Sequence, residues 1–311
     1  MDKNQSCFRT VIGGQALIEG IMMRGPDKSA TVVRRPDKTL VTTTRPLRSG
    51  KDKPKVLSWP FIRGVYSFGG AMKDGVKELF YSADVAFEEP DDAPQGFLEK
   101  KLGKKRVDDI AMGISGVLGI AIPIVLFFIL PTLLAGFLDD YIGAGVLRNL
   151  VEGLIRIIIF IIFMFSVSRT KDIQRTFEYH GAEHKSIHCY ESGKELTVEN
   201  VQSFPKEHPR CGTSFLLVVM VISILVFSFI QVSTPLLRVV IRLALLPVVV
   251  GISYECNRWI GRHDNAFTRI VRGPGLLMQH LTTREPDDSM VEVAITALKA
   301  VIPQEEGSDR W

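Results

Sequence analysis

The sequence has no C-x-x-C pair, no internal repeat, no basic run interleaved with aromatics and no apolar stretch at its start. Each absence removes a class of protein. The four cysteines, Cys7, Cys189, Cys211 and Cys256, are widely spaced and do not resemble a secreted disulfide framework. Residues Met1–Thr10 are polar and lack an apolar core region, so a cleaved signal peptide is not expected. A net charge of only +4 gives no reason to expect a nucleic-acid partner. With no repeat and few polar residues along its apolar segments, the chain gives little support to a transporter or channel.

What is present is apolar sequence in long pieces. The 311 residues are 46% hydrophobic, yet 23% are charged, a mixture that suits apolar spans alternating with water-exposed segments. Ile110–Leu138 carries no charge and exceeds the ~20 residues that a spanning helix needs. A second apolar segment, Leu147–Ser168, holds Glu152 and Arg156 near its start. Thr213–Pro235 is again uncharged, and Leu236–Tyr254 is the weakest of the four because Arg238 and Arg242 lie within it. Charges inside spans need partners. Glu152 is expected to pair with Arg156 one turn on, and across the bundle with Arg238 or Arg242.

The flanks give orientation. Lys100, Lys101, Lys104, Lys105 and Arg106 precede the first span; Arg169, Lys171 and Arg175 follow the second; Arg258 and Arg262 follow the fourth. Asp139 and Asp140 lie between the first two spans. Positive residues favour the cytoplasmic side. The expected fold is therefore an α-helical integral membrane protein with about four transmembrane helices, in the cytoplasmic (inner) membrane, with both termini cytoplasmic. Cysteines on that side stay reduced, which favours metal or redox chemistry over disulfides.

A small N-terminal β/α region completes the expected layout. Residues 1–55 read as β-rich, with Thr31–Arg35 and Thr39–Thr44 as β-branched runs around the turn Pro36-Asp37-Lys38. Gly13–Pro26 is glycine-rich, and Gln15, Glu19 and Arg24 are its polar candidates; a structural β-turn role is favoured over anion binding. Residues 56–90 hold an amphipathic helix whose stripe is Phe61, Val65, Phe68, Met72, Val76, Leu79 and Phe80. That helix lies against the membrane surface or the spans, or else is an ordinary core helix. Charged Lys51–Pro54 and acidic Glu88–Pro94 read as connectors. A linker over 91–107, the four-span domain over 108–255 with its cytoplasmic 169–212 loop, and a cytoplasmic segment over 256–311 follow.

The chemistry concentrates in Glu178–Glu191. His180 and His184 are four apart, so both imidazoles leave one face of a helix and can grip one Zn²⁺ at roughly 2.0–2.1 Å. With Glu183 they form H-x-x-E-H, the inverted order of one class of zinc peptidases, in which the glutamate is the general base. The alternative is a membrane-proximal helix whose histidines face solvent or headgroups, and Gly181 weakens the helix by ~1 kcal/mol. His188, four further on, is a third ligand or a bystander. His208 and Cys211, three apart around Pro209, form a second cluster, or a plain loop with a half-buried cysteine. Glu255 ends the fourth span as a distal carboxylate ligand, or as a partner of Arg258 or Arg262. His263 and Asp264 rank as outer-shell residues at best. Topology favours the metal, because the ends of the second, third and fourth spans bring all three clusters to one membrane face.

At Gly13–Pro26, Tyr179–Lys185, His208–Ser214 and Ser253–Asn257 the chain resembles the YqhQ-like family of bacterial membrane proteins over nearly its whole length. That resemblance implies a metal-dependent enzyme of unspecified reaction, with His180, Glu183, His184, His208, Cys211 and Glu255 at its site. Two functions are expected to compete: a membrane-embedded, zinc-dependent hydrolase with Glu183 as base, and a non-catalytic scaffold or assembly factor with a structural metal. A saturated His180, His184, His208 and Cys211 site favours the second, since catalytic zinc keeps a position open. Besides the bilayer, the expected partner is a membrane-proximal substrate.

Overall fold

The structure, a computed structural model, describes residues 8–47, 54–88, 103–143, 145–230, 232, 234–263, 265–305 and 307–310. Cys7, most of the Lys51–Pro54 and Glu88–Pro94 connectors, Lys100, Lys101 and Asp264 lie outside the described residues. The chain divides into two compact units. One comprises Met1–Glu88, Met164–Val219 and Val250–Trp311, and the other Glu89–Phe163 and Met220–Val249.

The first unit is built on a four-stranded antiparallel meander, β1 (Gly13–Leu17), β2 (Gly20–Arg24), β3 (Lys28–Arg34) and β4 (Leu40–Pro46), in that spatial order. The glycine-rich segment is thus a hairpin, with only Ile18 and Glu19 between the paired Leu17 and Gly20. The expected β3–β4 turn also forms. Asp37 accepts from the Thr39 N–H at 2.9 Å and Lys38 takes φ +69°, as a tight turn demands.

Helices α1 (Ile62–Ala86), α2 (Lys104–Ile124), α3 (Leu130–Gly136), α4 (Asp139–Ile142), α5 (Val146–Val167), α6 (Lys171–Glu191), α7 (Val198–Gln202), α8 (Gly212–Ser228), α9 (Pro235–Arg262), α10 (Ala266–Thr282) and α11 (Asp288–Val301) follow. In the first unit α6 and α11 pack on the sheet. Its core holds Ile21, Met23 and Val32 from strands, Tyr179 and Ala182 from α6, and Met290, Ala294 and Leu298 from α11. Each large side chain buried there stabilises by about 1.5–3 kcal/mol. The N-terminus is tied into the same unit by the Val11 N–H, which donates to Asp309 O at 2.7 Å, and by Thr10 Oγ1, 2.6 Å from Asp309 Oδ2.

Helix α1 differs from an ordinary core helix in its orientation. Val65, Phe68, Met72, Val76 and Leu79 are exposed, while Glu78 and Ser82 are buried. The polar face is inside because the sheet offers it partners. Thr31 donates to Glu78 at 2.8 Å, Arg45 pairs with Glu78, and Ile18 N–H donates to Ser82 at 3.2 Å.

Among the described residues three helical stretches are long and apolar enough to cross a membrane: Ile110–Gly136, Val146–Val167 and Pro235–Arg262. The segment expected to be weakest lies in the 28-residue α9, whereas Thr213–Pro235 yields the shorter apolar α8, Gly212–Ser228. In the second unit Val125–Ile129 forms a π-helical turn just before Pro131. Proline has no N–H for the carbonyl four residues back. That carbonyl, Phe127 O, accepts from Arg156 Nε at 2.8 Å instead. Buried Glu152 faces three guanidinium groups: Arg242 hydrogen-bonds to it, and Arg156 and Arg148 lie at 3.5 and 3.6 Å. Arg238 turns away and donates to Val232 O at 3.0 Å.

Candidate metal centre

The H-x-x-E-H segment is helical, as its spacing requires, and sits in the middle of α6. Gly181 is there for clearance. A Cβ on it would lie 2.0 Å from Arg284 O, so only glycine lets the chain after α10 cross α6 this closely. That crossing supplies a partner for the first histidine: His180 Nδ1 meets Thr282 O at 2.8 Å. The loop between α7 and α8 supplies the second, with His184 Nδ1 2.5 Å from Lys206 O. A carbonyl can only accept, so both Nδ1 atoms carry the proton and both Nε2 lone pairs are left available.

Those lone pairs converge with Cys211 Sγ. Ligand atoms of His180, His184 and Cys211 all lie within 4.8 Å of one another, with Sγ 3.3 Å from His180 Nε2. His184 Nε2 is buried and has no hydrogen-bond partner among the described residues. A buried acceptor left unpartnered costs roughly 1–3 kcal/mol, which a bound metal would remove. Nδ1–H held by a backbone carbonyl is also the usual support for a ligating imidazole. The sulfur is steadied by Thr213, whose N–H and hydroxyl lie 3.4 and 3.2 Å away. The donor set therefore fits a zinc-type ion with three protein ligands.

Glu183 is buried beside them and accepts from the Gly14 N–H at 3.0 Å. Burial raises its pKa above the ordinary carboxyl value, against the opposing influence of His180 and Gly14. Burial likewise holds His184 below the usual histidine value. A cleft of about 450 Å³ opens over these residues, lined also by Gly13, Gln15 and Thr213.

His208 takes a different position from the one its motif suggests. It joins His188 and Glu191 in a second group, their ligand atoms again within 4.8 Å of one another. Its Nδ1 accepts from the Arg210 N–H at 3.3 Å, so the neutral ring carries its proton on Nε2, which faces Glu191 at 3.6 Å. Burial lowers the His208 pKa to about 4. For Glu191 burial pushes upward, but His208, Arg210 and the Thr10 N–H outweigh it and bring the pKa to about 2. Glu255 joins neither group. It is paired with Arg63 on α1, which donates to it through Nε at 2.6 Å, and Phe61 N–H adds a contact at 3.3 Å.

Among the other sequence candidates, Glu19 pairs with Arg175 and accepts from Tyr179 at 3.2 Å, and Arg24 meets Asp74 at 3.3 Å. Gln15 lies 3.5 Å from Gly75 O, and exposed His263 contacts Trp259 O at 2.8 Å. The residue that sequence reasoning left without a role is Glu191. Its spacing of three from His188, on one helix face, was the available signal.

The chain belongs to the family described as "Protein of unknown function (DUF1385)", which matches residues 59–304. It is 32% identical over 299 residues to "Uncharacterized protein YqhQ" of Bacillus subtilis (strain 168), covering 96% of this chain and 94% of that protein. No solved structure matches it.

Proposed function

We propose that the protein is a multi-pass membrane hydrolase that holds one zinc ion on His180, His184 and Cys211 and uses Glu183 as general base. The observation that carries this reading is the tautomer state of the histidines: two Nδ1–H groups held by carbonyls aim two unprotonated Nε2 atoms at one sulfur. A zinc ion bound by three protein ligands keeps a position for water or substrate and lowers the pKa of that water towards ~7. Glu183 then has the right character for its task. A carboxylate whose pKa burial has raised takes up a proton more readily than a solvated one, and Gly14 N–H keeps one of its oxygens fixed. The closed, four-ligand alternative of a scaffold requires His208, whose proton sits on the nitrogen that would have to bind.

The same reading counts α8 as the fourth span, with both termini and the metal centre on the cytoplasmic side of the inner membrane. Support comes from the arginines and lysines beside the apolar helices. Metal analysis of the detergent-purified protein tests the site. Wild type and Glu183→Gln should each carry about one zinc per chain, and His184→Ala and Cys211→Ser should lose it. Clearly sub-stoichiometric metal in carefully purified wild type defeats the proposal.

A further inference from the structure

A second cavity, of about 570 Å³, meets the first at the candidate metal centre, and Val11, Arg210 and Cys211 line both. Arg210, Arg258, Arg262, Arg272 and Arg310 also line it, and no aspartate or glutamate among the described residues does. These arginines come from separate parts of the chain. Arg258 and Arg262 occupy one face of the last two turns of α9, Arg272 is on α10, Arg210 precedes α8, and Arg310 follows α11. Five like charges gathered from four places are not the solvated face of one helix. They are a focused positive field that costs free energy unless an anion sits in it.

Internal pairing absorbs only part of that charge. Arg210 binds Glu191 and the Thr10 carbonyl, and Arg272 donates to Ile260 O and His263 O. Among the described residues Arg262 forms no ion pair, and Arg258 interacts with Glu255, which Arg63 already pairs, only at longer range. Ser214 also lines the cavity, with its Oγ turned into the contact with Gly275 of α10. Apolar residues, Val11, Val218, Ile260 and Val271, share the lining with the arginines. A guanidinium fork matches the oxygens of a phosphate in shape as well as charge, which a lone carboxylate ligand would use less fully. The cavity thus joins phosphate-binding groups to apolar lining in a chain whose long apolar helices suit a bilayer.

We infer that this cavity binds the phosphate of an anionic amphiphile and presents the bond next to it to the centre formed by His180, His184, Cys211 and Glu183. Describing the ligand as substrate rests on the proposed hydrolase, whereas phosphate binding does not. The chemistry recognised is a phosphate ester, carried by a lipid headgroup or by a soluble molecule.

The full chain in detergent, titrated with short-chain phosphatidic acid, short-chain phosphatidylcholine and inorganic phosphate, tests this by native mass spectrometry. Phosphatidic acid should bind at least about tenfold tighter than phosphatidylcholine, and inorganic phosphate should compete with it. Each guanidinium removed should weaken binding by about tenfold, so Arg258→Gln with Arg262→Gln lowers it about 100-fold, while the lysine pair, which keeps the charge but not the fork, falls between that pair and wild type. Binding of inorganic phosphate without preference for phosphatidic acid keeps the phosphate site and rejects the lipid source. Wild type that binds neither better than phosphatidylcholine overturns the inference, and this arm needs no variant to fold. Zinc measured on the same samples separates the two readings: phosphate binding by zinc-free wild type sinks the hydrolase alone, and full zinc without phosphate binding sinks the cavity alone.

Discussion

Gly14 and Glu183 touch across 169 residues of sequence: the backbone N–H of the first donates to the carboxylate of the second at 3.0 Å. A Cβ at position 14 would lie 2.8 Å from Met22 O and 3.0 Å from Glu183 Cδ, whereas one at Gly13 would meet nothing within 4 Å. The adjacent glycines therefore form a matched pair. Gly14→Ala should cost about 1–3 kcal/mol through overpacking, read as a lower thermal midpoint, while Gly13→Ala changes it little. Infrared difference spectra against Glu183→Gln should also show the Glu183 carboxyl band displaced in Gly14→Ala. Equal behaviour of the two alanine variants would remove the argument that glycine is needed to bring β1 against the carboxylate.

Gly181 sets two physical effects against each other. Helix propensity favours alanine by about 1 kcal/mol at an interior position. The 2.0 Å approach of Arg284 O to the missing Cβ opposes it, and backbone there cannot swing aside as a side chain can. Sterics should win. Gly181→Ala is expected to lower stability and, because Thr282 O would be displaced from His180 Nδ1, to lower zinc occupancy as well. A stabilised variant with full zinc would show that the crossing is looser than the structure has it.

How much of this was legible in the sequence varies with what each feature depends on. The H-x-x-E-H spacing reports a helix face directly, and the β3–β4 turn was visible in Pro36-Asp37-Lys38. The apolar stripe of α1 was visible too, but not its direction. A periodicity cannot say whether the sheet will offer partners to Glu78 and Ser82, which is what turned the polar face inward. Carbonyl partners such as Thr282 O and Lys206 O leave no trace in side-chain chemistry. Nor does the backbone donor of Arg210, which fixes the His208 proton, so the assignment of His208 to a second group needed coordinates. Glu255 met Arg63 for the same reason: the two lie 192 residues apart, and the nearby Arg258 and Arg262 were the only partners a local reading offers.

Glu152 is fully buried, and its Oε1 also accepts from the Thr132 hydroxyl at 2.7 Å. Removing its charge would leave Arg148, Arg156 and Arg242 facing one another without their shared counter-charge. Breaking such a buried pair costs about 3–5 kcal/mol, so Glu152→Gln should lower the unfolding midpoint in detergent well below that of typical surface variants. Glu152→Arg combined with Arg242→Glu should recover part of the loss, because Arg242 is the guanidinium hydrogen-bonded to it. No recovery in the swapped pair would assign the stability to Arg156 and its Phe127 carbonyl instead.

Acid should destabilise the metal-free protein in a window set by His208. Its folded pKa of about 4 lies below the ordinary histidine value of 6.5, so the unfolded chain takes up this proton first. Stability from keeping the ring neutral is then fully present above about pH 6.5 and drains away as the pH falls towards 4. The slope for one such group is at most about 1.4 kcal/mol per pH unit. His184, also held below its ordinary value by burial, steepens the same limb. Glu191 acts lower: with a folded pKa of about 2, its contribution is present above 4.5 and lost between there and 2. Denaturant unfolding with chelator present, at pH 7, 6, 5, 4 and 3, measures the sum. His208→Gln should flatten the limb between 6.5 and 4 while leaving the Glu191 loss below it, although that loss should shrink because a polar neighbour of Glu191 has changed. Zinc added back should steepen the limb again, since protons then compete with the metal for His180 and His184. A wild-type profile that is flat from pH 7 to 4 would mean that His208 is reached by water, contrary to the 5% exposure found for it.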